Sequence, residues 1–188
     1  MGKYKRELTE DLIHFIGEQK LFFVATAPSD DGRINLSPKG YDSFRVLNNR
    51  TIAYLDYAGS GNETANHLQD NRKITFMLCS FDAEPLILRA YCKGKIITKG
   101  SEEYREIMKE YYPTSDPNGA RQIFVCTIDG LQTSCGYGVP FLEYKGERPT
   151  MKRWTEQQMA KGTLDTYIEE HRMRVEEKFP LLKEEASN

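Results

Sequence analysis

Six segments rich in β-branched and aromatic residues follow one another across residues 21–129, with only two stretches of helical periodicity among them. They cover residues 21–27, 33–39, 51–57, 73–81, 86–99 and 121–129. Runs of this length and composition read as strands. Because helices do not alternate with them, a parallel βαβ sheet is excluded. The pattern predicts a mainly β chain with flanking helices, its strands closing as an antiparallel barrel. Pro28, Ser29, Asp30, Asp31 and Gly32 supply turn chemistry, so the first two strands form a hairpin. Gly94 inside the long fifth segment predicts a bend or bulge.

Helices are expected at both ends. Thr9 can cap a first helix that carries Leu12, Ile13, Phe15 and Ile16 on one face. Ser101 can cap a second, where Tyr104, Ile107, Met108 and Tyr111 recur at helical spacing. Thr155 and Gln158 fit a capping box that opens a third. Tyr167, Ile168, His171 and Val175 then line one stripe of a helical tail over residues 164–179. With no repeat and no long polar linker, residues 1–188 read as a single domain.

Charge and cysteine usage narrow the partners. Lys and Arg number 26 against 28 Asp and Glu, a formal net charge of −2. A duplex-binding domain needs a basic excess, so no nucleic-acid partner is expected. No apolar run reaches the roughly 18 residues of a membrane span, and no membrane partner is expected. The chain opens into an acidic helix instead of a signal peptide. Cys79, Cys92, Cys126 and Cys135 form no C-x-x-C pair, and His14, His67 and His171 add no metal-ligand spacing, so no metal is expected. Reduced thiols point to the cytoplasm.

Three segments carry candidate chemistry. In Asn35-Leu36-Ser37-Pro38-Lys39-Gly40, proline marks an edge or bulge and leaves an ammonium beside irregular backbone; an ordinary surface lysine is the plain alternative. In Ser60-Gly61-Asn62-Glu63-Thr64, a strand runs through a turn into a helix whose free N–H groups suit a phosphate. Ser60 and Glu63 also form an S-x-x-E capping box that satisfies the same donors without a ligand. In Gln132-Thr133-Ser134-Cys135-Gly136-Tyr137-Gly138, small and hydrogen-bonding side chains follow a strand, either to let a flat ring lie on backbone or to make a glycine-rich loop.

Taken in order, these segments resemble the flavin-binding split-barrel family that includes pyridoxamine 5′-phosphate oxidase, over about residues 21–140. The resemblance implies a six-stranded Greek-key split barrel, a homodimer, and one FMN in each of two clefts between subunits. It places Lys39 at the flavin-contacting lysine, Gln132 and Thr133 at a glutamine–serine pair, Arg89 at a polar cofactor contact, and Ser60 at the serine that opens the phosphate turn. Ser37, Gly61, Asn62, Thr64, Ser134, Cys135 and Gly136 complete the implied cofactor set.

Departures are equally specific. The family places arginine and lysine after the turn serine, where this chain has Gly61 and Asn62, and Ile34 stands where the oxidase has arginine. Each lost charge-assisted hydrogen bond is worth roughly 1.5–3 kcal/mol. Lys39, Arg33 and Arg89 are the candidate replacements. The oxidase's C-terminal arginine–histidine constellation has no counterpart, so pyridoxamine phosphate oxidation itself is not expected. The implied function is an FMN-dependent oxidoreductase acting on a small molecule, with an electron donor such as a nicotinamide cofactor. Alternatives are a flavin-binding protein without turnover and a split barrel that handles deazaflavin or haem. No side chain stands out as a catalytic acid or base.

Overall fold

In a computed structural model that describes residues 2–180, the chain runs β1 (Lys3–Lys5), α1 (Glu10–Glu18), β2 (Phe22–Thr26), β3 (Asn35–Lys39), β4 (Phe44–Asn48), β5 (Thr51–Tyr57), α2 (Glu63–Asn71), β6 (Lys73–Cys79) and β7 (Leu86–Thr98). It continues through α3 (Glu102–Tyr111), β8 (Ala120–Cys135), α4 (Thr150–Ala160), α5 (Leu164–Glu170) and α6 (Val175–Lys178). All strands join one antiparallel sheet in the order β3-β2-β6-β7-β8-β5-β4, with β1 added to β8. The six expected strands are β2, β3, β5, β6, β7 and β8. Short β1 and β4 join them.

Although β3 and β4 are consecutive in sequence, they lie at opposite ends of the sheet path and share no ladder. The barrel is therefore split, not closed by hydrogen bonds. Side chains hold the seam instead: the Phe22 ring lies 5.0 Å from Phe44 and 5.4 Å from Tyr54, both edge-on. Val24, Phe76, Leu88, Phe124 and Ile128 fill the interior. Leu8, Leu12 and Ile16 bring the α1 segment onto that core, and α2 adds Ala65 and Leu68.

Closer inspection moves some boundaries. A Cβ on Gly94 would meet Leu68 at 2.8 Å, so this glycine admits α2 to the sheet, and the bulge lies between Tyr91 and Cys92. Ser101 caps α3 as expected, its hydroxyl accepting the Tyr104 N–H at 3.1 Å. Thr155, expected to open a helix, is instead buried in the middle of α4. The tail is two short helices, not one. Helix α3 covers a second cluster on the outer face, with Ala53, Leu55, Ile97, Tyr112 and Ile123. Elsewhere that face is barer: Leu36 is 64% and Tyr91 40% exposed. No helix among the described residues is long and apolar enough to cross a membrane.

Because the seam depends on packing alone, Phe22→Ala should cost about 3–5 kcal/mol. Hydrogen exchange should also quicken in β4 more than in the β7–β8 pair. Equal quickening across the sheet would contradict the seam's dependence on this ring.

Candidate functional site

The split in the barrel brings β3 against the start of α2. Asn35 donates its amide hydrogens to Thr26 Oγ1 and Thr64 Oγ1, both at 3.2 Å, and Ser37 Oγ donates to Asn35 Oδ1 at 3.0 Å. Two expected site residues, Ser37 and Thr64, are thus linked through Asn35. Lys39 ends the same strand on the inward face, opposite Phe22. It is half-buried, and its ammonium lies 5.7 Å from the Tyr54 ring centre. Burial draws its pKa below the ordinary lysine value of 10.5; nearby Asp56 resists the shift and Arg121 adds to it. This is no ordinary surface lysine.

Asp56, at the end of β5, organises the neighbouring wall. Tyr54 donates its hydroxyl to Asp56 Oδ1 at 2.7 Å; Arg121 Nε and Gln122 Nε2 donate to Oδ2 at 2.6 and 2.8 Å. Burial, then the Asp56 carboxylate, push the Tyr54 hydroxyl well above the ordinary phenol value, so it remains a donor. Arg121 reaches inward because it is the extra residue of a bulge: Gln122 pairs with Asp56 and Ala120 with Tyr57, which leaves Arg121 unpaired. The Arg121 and Asp56 side chains are only 9% and 3% exposed.

This network also fixes the turn into α2. Arg121 Nη2 donates to the Gly61 carbonyl at 2.7 Å, and Gln122 Nε2 to Asn62 Oδ1 at 2.8 Å. Asn62 occupies the N-cap position but makes no capping bond, because its side-chain oxygen is taken by Gln122. The expected Ser60–Glu63 capping box does not form. The helix begins at Glu63, and the exposed Ser60 lies outside it. The first-turn N–H groups are left without a side-chain cap, a polarity suited to an anion.

Arg89, Gln132, Thr133, Ser134, Cys135 and Gly136 form a second group on β7 and the end of β8. The expected loop from Gln132 is strand as far as Cys135. Arg89 pairs across the ladder with Gln132 on one side and Met77 on the other, and its Nη1 donates to Ser134 Oγ at 3.2 Å. Tyr91 donates its hydroxyl to Gln132 Oε1 at 2.7 Å. Cross-strand partners share a face. The row Pro38–Phe23–Met77–Arg89–Gln132 therefore lies on the outer face and Lys39–Phe22–Leu78–Leu88–Thr133 on the inner one. One sheet thus separates Lys39 from Arg89 and Gln132.

His67 is 1% exposed, with Nδ1 2.9 Å from Thr26 Oγ1. Cys135 of the implied cofactor set is exposed. Arg33 is occupied by the tail: its backbone N–H donates to Glu176 and its guanidinium to the Phe179 carbonyl, both at 2.6 Å. Trp154 packs edge-on against Tyr167 at 4.7 Å. Sequence reasoning missed Tyr54, Asp56, Arg121 and Gln122. The one local hint was a carboxylate and a guanidinium inside otherwise apolar strand segments.

The family model for pyridoxamine 5′-phosphate oxidase matches residues 8–135. Over 181 residues the chain is 36% identical to ustO, a pyridoxamine 5′-phosphate oxidase family protein of Aspergillus flavus, across 89% of this chain and 72% of that one. A crystal structure of a HupZ variant from Group A Streptococcus matches with a TM-score of 0.54 at 23% identity, covering 67% of this chain and 98% of that one. A Lactobacillus delbrueckii protein of the pyridoxamine 5′-phosphate oxidase type also scores 0.54, at 14% identity, over 68% of this chain and 94% of its own. These two structures bear on the fold alone.

Replacing Asp56 with asparagine strands the buried Arg121 guanidinium, so Asp56→Asn should destabilise the protein by about 3–5 kcal/mol in denaturant melts. Adding Arg121→Gln to it should restore part of that loss, since both charges of the pair are then gone. A double variant less stable than the single one would argue against a coupled pair.

Proposed function

The chain belongs to the pyridoxamine 5′-phosphate oxidase family, and on that premise we propose that it binds FMN and acts as an FMN-dependent oxidoreductase on a small molecule. Electrons would come from a donor such as a nicotinamide cofactor, in the reducing cytoplasm that four free cysteines fit. The observation that carries the reading is the cleft itself. The edge strand β3 is joined to the uncapped start of α2 through Asn35 and Thr64, and the same strand ends in a half-buried lysine. FMN fits both features, having an electron-rich ring edge for the ammonium and a phosphate for the free N–H groups.

When bound, FMN supplies the hydride and electron chemistry. The protein's share is binding and orientation. Lys39 and Ser37 would hold the ring end from β3. Ser60, Gly61, Asn62 and Thr64 would hold the phosphate end at α2. Tyr54, kept protonated, fixes Asp56 and hence the wall beneath them. The substrate is one other than pyridoxamine phosphate: His171 stacks on Tyr167 at 3.9 Å and Arg172 pairs with Glu169 at 2.9 Å, so neither is poised for a phosphorylated pyridine.

The working unit is a homodimer. Lys39 and the Arg89–Gln132–Ser134 group occupy opposite faces of the sheet, so one chain cannot bring both onto the same flavin. A second copy docked on the outer face can. Phe23, Met77 and Ile87 are only half-buried there, and Leu36 is 64% exposed, as an interface would require.

Two measurements test this reading. In titrations followed by flavin absorbance, the wild type should bind FMN, and its affinity should fall as pH rises. The fall should begin below the ordinary lysine value of 10.5, because burial lowers the Lys39 pKa and the ammonium is lost above it. Lys39→Arg should remove that fall; a fall unchanged in the variant would assign it to another group. Sedimentation at micromolar concentration should give a dimer, and Met77→Glu should give monomers with weaker FMN binding. A monomeric wild type that holds FMN would overturn the shared cleft.

A further inference from the structure

Arg121 is the fixed cation that Gly61 and Asn62 do not provide. It borders a cavity of about 330 Å³ at the start of α2, together with Asn62, Asn66, Gln122 and Arg172. None of the residues lining this cavity is a carboxylate. That is unusual in a chain with 28 acidic residues. Four other cavities on the described residues each have at least one carboxylate in the wall, such as Asp42, Glu147, Asp30 or Asp116.

The guanidinium is also pre-oriented. Nε is spent on Asp56 and one Nη2 hydrogen on the Gly61 carbonyl. Among the described residues no acceptor takes the Nη1 hydrogens, which leaves that edge for a ligand. Two further polar groups already face the same space: Gln122 is 9% exposed, and its amide holds Asn62 by the side-chain oxygen. Arg172 stands at the rim, where its carbonyl accepts the Asn66 amide at 3.2 Å.

Building on the FMN reading, we propose that Arg121, carried inward by the bulge of β8 and clamped by Asp56, is the residue that binds the FMN phosphate. It replaces, from a different strand, the two cations that relatives place in the turn itself. Arg33 is unavailable for this role because the tail engages it, and Arg89 is tied to Ser134 in the group that a second copy would bring. Arg121 therefore sets the preference of this protein for a phosphorylated flavin, while Lys39 acts on the flavin whether or not it is phosphorylated.

FMN and riboflavin separate this role from a merely structural one, since they differ only in the phosphate. Fluorescence titrations of both ligands against the wild type, Arg121→Lys and Arg121→Gln form the test. Arg121→Gln should weaken FMN about tenfold or more and leave riboflavin unchanged, and Arg121→Lys should recover part of the FMN affinity. If Arg121→Gln alone does not fold, Asp56→Asn with Arg121→Gln removes the buried charge and its partner together, and the same ratio is read. Equal losses of FMN and riboflavin, or an unchanged ratio, would overturn the assignment of Arg121 while the FMN reading stands. A wild type that binds neither flavin would instead overturn the FMN reading, and this inference with it.

Discussion

One buried carboxylate decides how the two halves of the cleft meet. Asp56 is 2% exposed, yet three side chains converge on it: Tyr54, Arg121 and Gln122. Taking two opposite charges out of water costs several kcal/mol per ion, and apolar packing of the same volume is often as stable. The pair is thus weakly explained by stability. Its geometric consequence is better defined. Through Arg121 and Gln122 it holds Gly61 and Asn62, and so sets where α2 begins and which way its free N–H groups point. Without the bulge at Arg121, the guanidinium would project to the other face of β8.

The sheet imposes the second constraint. Alternation along each strand gives an inner row that includes Lys39 and an outer row that includes Arg89 and Gln132. The N-terminal half of β8 is covered outside by α3, while its C-terminal half carries the polar group on a barer surface. A chain organised this way carries one group of candidate residues on each face of one sheet.

Much of this was legible in the sequence, and the failures have identifiable causes. The six main strands follow from composition and turn chemistry, and Lys39 was singled out because Pro38 marks an edge strand, which β3 is. Short β1 is fully exposed and carries no apolar pattern, so nothing local announces Lys3–Lys5 as a strand. Ser60 and Glu63 have the spacing of a capping box, but a distant residue, Gln122, takes the Asn62 side chain and the helix starts later. Arg121 and Asp56 are 65 positions apart, and only the β5–β8 ladder with its bulge brings them together. His67 is buried because α2 is enclosed on more than one side. Thr26, at the end of β2, contacts its ring, and the segment after α5 packs against the same helix through Asn66 and Arg172.

The same tail removes an apparent surplus of positive charge. Arg174 binds Asp30 through both Nη groups at 3.1 Å, and Glu176 and Phe179 engage Arg33. Burial raises the pKa of Glu63, on the same side of α2, while His67 opposes the rise. At the start of α2 the Arg121 charge is matched by Asp56, so the pair adds no net charge there. What it adds is direction. With Nε held by Asp56 and Nη2 by the Gly61 carbonyl, the guanidinium has one orientation beside the turn. Donors at this turn therefore come from two elements, β8 through Arg121 and Gln122 and α2 through its uncapped first turn.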